Sequence, residues 1–244
     1  MRFTVLATLA FLFAGCTDPA TEARITELEA KVAAQQATID KLSAGGGAAG
    51  GAVDAEAEKA AAQLIRDASD AMRQLNYDVA KTKLAELKAK YPTTRAARSA
   101  EQLEQQLAVI GKPVSDLAVE KWYTSNQTTF NDGKATLVVF FEEWCPHCKR
   151  EVPKLTETYS TYNSKGLNMV GLTKITKSST EEKVVAFVKD NNLNYPIAKE
   201  DGKLSEAFAV QGIPAAAVVK GGQIVWRGHP AQITPEMIDG WIGS

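Results

Sequence analysis

Cysteine is scarce in this chain: Cys16, Cys145 and Cys148 are all that 244 residues contain. Three are too few for a disulfide framework. A zinc site calls for about four ligands, and the only histidines are His147 and His229, so no metal site is read. Charge of either sign is also lacking in excess. Lys and Arg number 28 against 29 Asp and Glu, a formal net charge of −1, with no basic block and little aromatic interleaving. That pattern excludes a nucleic-acid-binding surface. Past the first residues there is no second hydrophobic run long enough to span a bilayer.

What is present begins with that first run. Met1 to Thr4 carry one positive charge and lead into an apolar stretch ending at Ala14, which reads as a secretory signal over residues 1–15. Phe13-Ala14-Gly15-Cys16 resembles a bacterial lipobox, although leucine is commoner where Phe13 stands. The resemblance implies cleavage before Cys16 and lipidation of its sulfur. With Cys16 carrying lipid, only Cys145 and Cys148 would remain as thiols in the mature chain, spaced for exchange chemistry.

Residues 16–42 follow as a lipidated tether. Ile25, Leu28, Val32, Ile39 and Leu42 mark a heptad seam of about three heptads, with Gln35 in the missing core position. It reads either as a short coiled coil that pairs copies of the chain or as a solvated helical stalk. Residues 43–52, with Gly45-Gly46-Gly47 and Gly50-Gly51, form a linker. Residues 53–110 switch to alanine, leucine, lysine and glutamate, and predict helices at about 55–75, 78–90 and 93–110, broken near Asn76 and at Tyr91-Pro92. Tyr77, Ala80, Leu84, Leu87 and Pro92 resemble a tetratricopeptide repeat, with Asp67 and Ala71 outside its pattern. One such repeat cannot bury its own face, so it should pack on the next domain, a second copy or a partner. The plainer alternative is a helical spacer.

The chemistry sits at Trp144-Cys145-Pro146-His147-Cys148. The run Ala135 to Phe141 predicts a buried central strand, and Pro146 with Val152, Leu155, Tyr159 and Tyr162 predicts a helix to about Asn163. Cys145 therefore lies at a helix N-terminus, where unpaired amides favour a thiolate, and His147, Lys149 and Arg150 add positive charge nearby. Cys145 is the candidate attacker; Cys148, one turn on, is the resolving thiol. Further strands are expected at 114–119, 167–172, 194–198 (a short edge), 215–220 and 223–227. Helices are expected from a serine cap near Ser178, with Val184, Val185, Phe187 and Val188 buried, over 204–208, and from Thr234 through Trp241 and Ile242.

Residues 111–244 are similar to the thioredoxin superfamily: Trp-Cys-x-x-Cys after a strand, Gly212-Ile213-Pro214 before a Gly221-Gly222 hairpin, and a closing helix stand in that family's order. The implied fold class is α/β, a central mixed sheet flanked by helices at the C-terminus, preceded by the all-α segment and short coiled-coil stalk. The resemblance implies that Cys145 is the nucleophile, Cys148 the resolving thiol and Pro214 a cis-proline facing the pair, with Ile213 pairing to an extended substrate segment. Trp144 and Pro146 would also contact substrate. The two sulfurs are the redox centre, so no cofactor is called for.

Within the superfamily the layout looks most like the TlpA/ResA thiol-disulfide oxidoreductases, whereas Pro146-His147 matches the oxidising DsbA type. These cues point in opposite directions for electron flow, and the histidine biases toward oxidation. Thioredoxin's buried aspartate position holds Val139; Glu142 or Glu143 are alternative proton carriers, or simply solvated acids at a strand end. The expected protein is an exported enzyme lipid-anchored in the bacterial cell envelope and facing the periplasm. Thr17 after Cys16 favours the outer membrane over the inner. Its partners would be protein thiols or disulfides and a redox partner in the membrane or periplasm. The rival readings are an envelope scaffold that docks a partner through its helices, and copper or zinc handling by Cys145, Cys148 and His147.

Overall fold

The computed structural model describes residues 24, 26–36, 55–114, 116–176 and 178–243. The signal peptide, Cys16 and the glycine linker lie outside the described residues, as do Ile39 and Leu42 of the heptad seam. Residues up to Asp54 and residues from Ala55 form two separate units. In the first, 26–36 is helical, with Leu28 and Val32 exposed and Lys31 paired to Glu27 at 2.7 Å.

The second unit opens with three helices, α1 (Ala55–Arg73), α2 (Tyr77–Lys90) and α3 (Arg95–Val109). Small and branched side chains at helical spacing, among them Ala61, Leu64, Ala68, Leu84, Leu87 and Leu107, bury a core of their own. Pro92 stops α2, and Thr94 restarts the chain as the N-cap of α3 by accepting from the Ala97 amide at 3.2 Å. The open face of this segment packs on the following domain. Val109 enters that domain's core, and Tyr77 Oη donates to Val225 O at 2.6 Å.

Six strands follow: β1 (Lys121–Trp122), β2 (Ala135–Phe141), β3 (Leu167–Thr173), β4 (Ile197–Lys199), β5 (Ala215–Lys220) and β6 (Gln223–Gly228). Their order is β1-β4-β3-β2-β5-β6; β2, β3 and β4 run parallel, and β1, β5 and β6 antiparallel to their neighbours. Every residue of β2 and β3 is buried, because helices cover both faces. On β2, Leu137, Val139 and Phe141 face one core with Cys148 and Val152, while Val138 and Phe140 face the other with Leu204 and Phe208. Phe140 stacks at 5.3 Å from Phe208. Phe140→Ala is expected to remove about 3–5 kcal/mol of stability, read as a lower urea midpoint with unchanged slope.

The remaining helices are α4 (Pro146–Glu151), α5 (Leu155–Tyr162), α6 (Glu181–Asp190), α7 (Lys203–Ala207) and α8 (Pro235–Gly243). The single helix expected from Pro146 to Asn163 is divided, because Pro153 has no amide hydrogen to donate to the preceding turn. Among the described residues of 114–119 no strand forms. The chain instead runs along β6, with Gly111 N bonding Ile224 O at 2.8 Å, Val114 N bonding Gly222 O at 2.8 Å and Pro113 forming a single antiparallel bridge with Gln223 between them. The 194–198 segment is not an edge, since β1 pairs on its outer side. The cap of α6 is Thr180, not a serine, and Val185 is half exposed while Val184 and Phe187 are buried. The β5–β6 hairpin has the expected Gly221-Gly222 turn, with φ of 56° and 72° that only glycine adopts freely.

Candidate active site

The β2 backbone ends at Phe141, and the next four residues carry the chain over the sheet's edge into α4. Cys145 is the residue that caps this helix, with Pro146 in its first turn; its carbonyl already accepts from Lys149 N at 3.0 Å. Cys148, one turn on, points into the core and is 0% exposed, while Cys145 is 5% exposed. Both are free thiols. Burial pushes the Cys148 thiol well above the ordinary range, so its proton is retained at neutral pH.

Across from the pair lies the loop that precedes β5. The Ile213–Pro214 peptide bond is cis. Cys145 Sγ sits 3.6 Å from Ile213 O, a distance at which the thiol donates to the carbonyl. Between this loop and the β2 end is a cavity of about 190 Å³, walled by Phe141, Glu142, Trp144, Lys174, Gln211 and Ile213. Trp144 is 43% exposed on its rim, so it is no core residue. The structure thus brings Trp144, Cys145, Cys148, Ile213 and Pro214 to one place.

His147 stands apart from them. It is exposed, and Arg150 Nη2 lies 2.9 Å from its Nδ1. A guanidinium has no acceptor, so Nδ1 must be the accepting nitrogen. In this arrangement the imidazole is turned toward Arg150. Pro146 is exposed at the helix start. Cys16 lies outside the described residues.

The two acids before Trp144 are not solvated. Glu142 is 7% and Glu143 5% exposed. Glu142 Oε2 accepts from Trp144 Nε1 and Thr176 Oγ1, each at 2.7 Å, which fixes the indole over the cavity. Glu143 Oε2 accepts from Ser179 Oγ at 2.6 Å, and its Oε1 has no partner among the described residues. Sequence position suggested solvent because strand ends face outward; Thr176 and Ser179, beyond β3, are what reach over the two acids. Glu151, one turn past Cys148, went unremarked in the sequence. It accepts from Lys154 and Arg150 at 2.9 Å each, and those two bonds, Lys154 first, hold its carboxyl below the usual range. Its place on the same helix face as Cys148 was the available signal.

Among the described residues no three His, Cys, Asp or Glu side chains are grouped to hold a metal ion. A wholly buried thiol beneath a second, nearly buried one that faces a cis-proline loop is an arrangement suited to thiol-disulfide exchange. Comparison with protein-family models matches residues 110–227 to the AhpC/TSA family. Those residues span the thioredoxin-like sheet from before β1 into β6. The domain is homologous to thiol-disulfide oxidoreductases. Over 112 residues it is 30% identical to thiol-disulfide oxidoreductase ResA of Bacillus cereus, covering 45% of this chain and 62% of that protein. It is 25% identical to sporulation thiol-disulfide oxidoreductase A of Bacillus subtilis over 112 residues, 46% of this chain and 68% of that one. The crystal structure of StoA from Bacillus subtilis matches with a TM-score of 0.41 at 26% identity, over 51% of this chain and 96% of that chain. The thioredoxin-like domain is thus the part that these relatives share; the three helices before it lie outside the family match.

Proposed function

We propose that the chain is an envelope-anchored thiol-disulfide oxidoreductase, with Cys145 as the attacking sulfur and Cys148 as the resolving one. The observation that carries this is the position of Cys145 Sγ, 3.6 Å from the carbonyl beside the cis-proline, above a wholly buried Cys148. A substrate strand laid against Ile213 places its own sulfur against Cys145. In the reducing direction, the Cys145 thiolate attacks a substrate disulfide, forms a mixed disulfide and expels one substrate thiolate, which takes up a proton. Cys148 then loses its proton, attacks Cys145 and expels the second substrate thiolate, leaving the Cys145–Cys148 disulfide. Both electrons pass from the dithiol to the substrate.

That direction is the one the geometry favours. The Cys145 sulfur faces the Ile213 carbonyl, the buried Glu142 walls the cavity beside it, and His147 is turned to Arg150. A reduced form without extra stabilisation makes the pair a reductant. The signal over 1–15, lipidation at Cys16 and an outer-membrane address complete the reading, as does a tetratricopeptide-like role for α1–α3. A redox partner in the envelope would return electrons to the pair.

The reduction potential decides between the directions. Equilibrated against thiol buffers, the Cys145–Cys148 pair is expected near or below the thioredoxin value of about −270 mV. A value near about −120 mV, the oxidising end of the family's range, would overturn the reductase reading.

A further inference from the structure

The docking of α1–α3 on the sheet has a consequence at the active site. Three attachments fix it: Tyr77 Oη on Val225 O, Gly111 N on Ile224 O, and Val109 in the domain's core. They bring α3 alongside the 209–214 loop. Gln102, Gln105 and Gln106, at spacings of three and four, share one helix face, and that face forms one wall of a cleft. The opposite wall is Gln211, Gly212, Pro214 and Arg227. The cleft therefore lies between the cis-proline loop and α3.

Its chemistry is unusual for a space between packed elements. None of the four glutamine amides has a hydrogen-bond partner among the described residues, and each offers a donor and an acceptor, the pairing that a peptide backbone needs. Arg227 is only 5% exposed, yet all its acceptors are main-chain carbonyls: Phe208 O at 2.9 Å, Ala216 O at 3.2 Å, Gly228 O at 2.8 Å and Ala209 O at 3.4 Å. The last of these, from Nη2, is long. Among the described residues no carboxylate pairs with Arg227, and no acid lines the cleft, whose other ionisable group is His229. A buried cation facing a cleft of that kind attracts an anion.

We propose that this cleft extends the substrate groove, and that it takes an extended segment of a protein substrate bearing a carboxylate side chain next to its cysteine. Main-chain groups of the segment bond the α3 glutamines, and the carboxylate is drawn to the Nη2 side of Arg227. The helical segment is thereby part of substrate selection instead of a spacer. This rests on the oxidoreductase reading, and the test keeps the two apart.

The test uses the full chain, reduced, with disulfide-linked dimers of a ten-residue peptide carrying one cysteine flanked by aspartates, or by asparagines in a matched control. Hydroxyethyl disulfide serves as a substrate too small to reach the cleft. The wild type is expected to show a KM about tenfold lower for the aspartate peptide, the size of one charge-assisted hydrogen bond. The triple variant Gln102→Ala, Gln105→Ala, Gln106→Ala should raise KM for both peptides at unchanged kcat and leave hydroxyethyl disulfide reduction and the potential as they were. Gln105→Glu, which keeps Arg227 and the fold, should abolish the preference for aspartate. Equal KM values for the two peptides in the wild type, or a triple variant with wild-type KM, would overturn the proposal. Failure of the wild type to reduce even hydroxyethyl disulfide would instead sink the oxidoreductase reading, and the cleft proposal with it.

Discussion

Cys145→Ser is expected to abolish reduction of a peptide disulfide, by at least about a thousandfold, since a hydroxyl replaces the only sulfur that substrate can reach. The burial difference sets the asymmetry between the two cysteines. Cys145 caps α4 beside the Ile213 carbonyl, whereas Cys148 is sealed beneath it at 0% exposure. Cys148→Ser should therefore behave differently from Cys145→Ser. Its first attack proceeds, the release step cannot, and the protein accumulates one substrate peptide per chain, joined at Cys145. Mass spectrometry of a digest locates that bond. Adduct on Cys148 in a Cys145→Ser protein, at the rate of the Cys148→Ser protein, would reverse the assignment. Full activity in the double serine variant would remove the redox chemistry altogether and return the scaffold reading.

The second large effect is on pH. Cys148 must lose its proton to release substrate, and burial raises its pKa well above the ordinary cysteine value. At neutral pH the thiolate is a small fraction, which grows about tenfold for each pH unit until the pKa is reached. The release step, followed as decay of the mixed disulfide after rapid mixing and acid quench, should accelerate by about tenfold per unit between pH 6 and pH 9. Association with substrate should not follow the same slope, because it is Cys145 that attacks. A flat release profile would mean that a neighbouring acid takes the Cys148 proton within the protein. Glu142→Gln, which keeps the acceptor for Trp144 Nε1 and Thr176 Oγ1, would then restore the slope if that acid is Glu142.

Much of this site is legible along the chain because its signals are local. Ala135 to Phe141 is apolar at every position, so it reads as a strand buried on both faces, and the helix after it follows from Pro146 and the spacing beyond. The Gly221-Gly222 pair announces its own turn. Where local reading failed, a distant segment had overridden it. Glu142 and Glu143 look like solvent-facing acids until Thr176 and Ser179 are brought over them. His147 is next to Cys148 in the chain, yet its ring nitrogen is turned to Arg150, one turn further on. The 114–119 segment has the letters of a strand, but it is the chain three residues earlier that pairs with the β6 edge, from Gly111 to Val114.

The sequence by itself determined the order of elements, the spacing of the two cysteines and the cap at which the first one stands. Each depends on residues a few positions apart, and hydrophobic period, proline and glycine are enough to specify them. The depth of Cys148, the burial of the two acids and the cleft between α3 and the 209–214 loop were decided only by tertiary structure. Gln102 and Gln211 are neighbours because Tyr77 and Gly111 bind one edge of the sheet. No local pattern encodes such a meeting, since it arises from which faces remain to be buried once every element has formed.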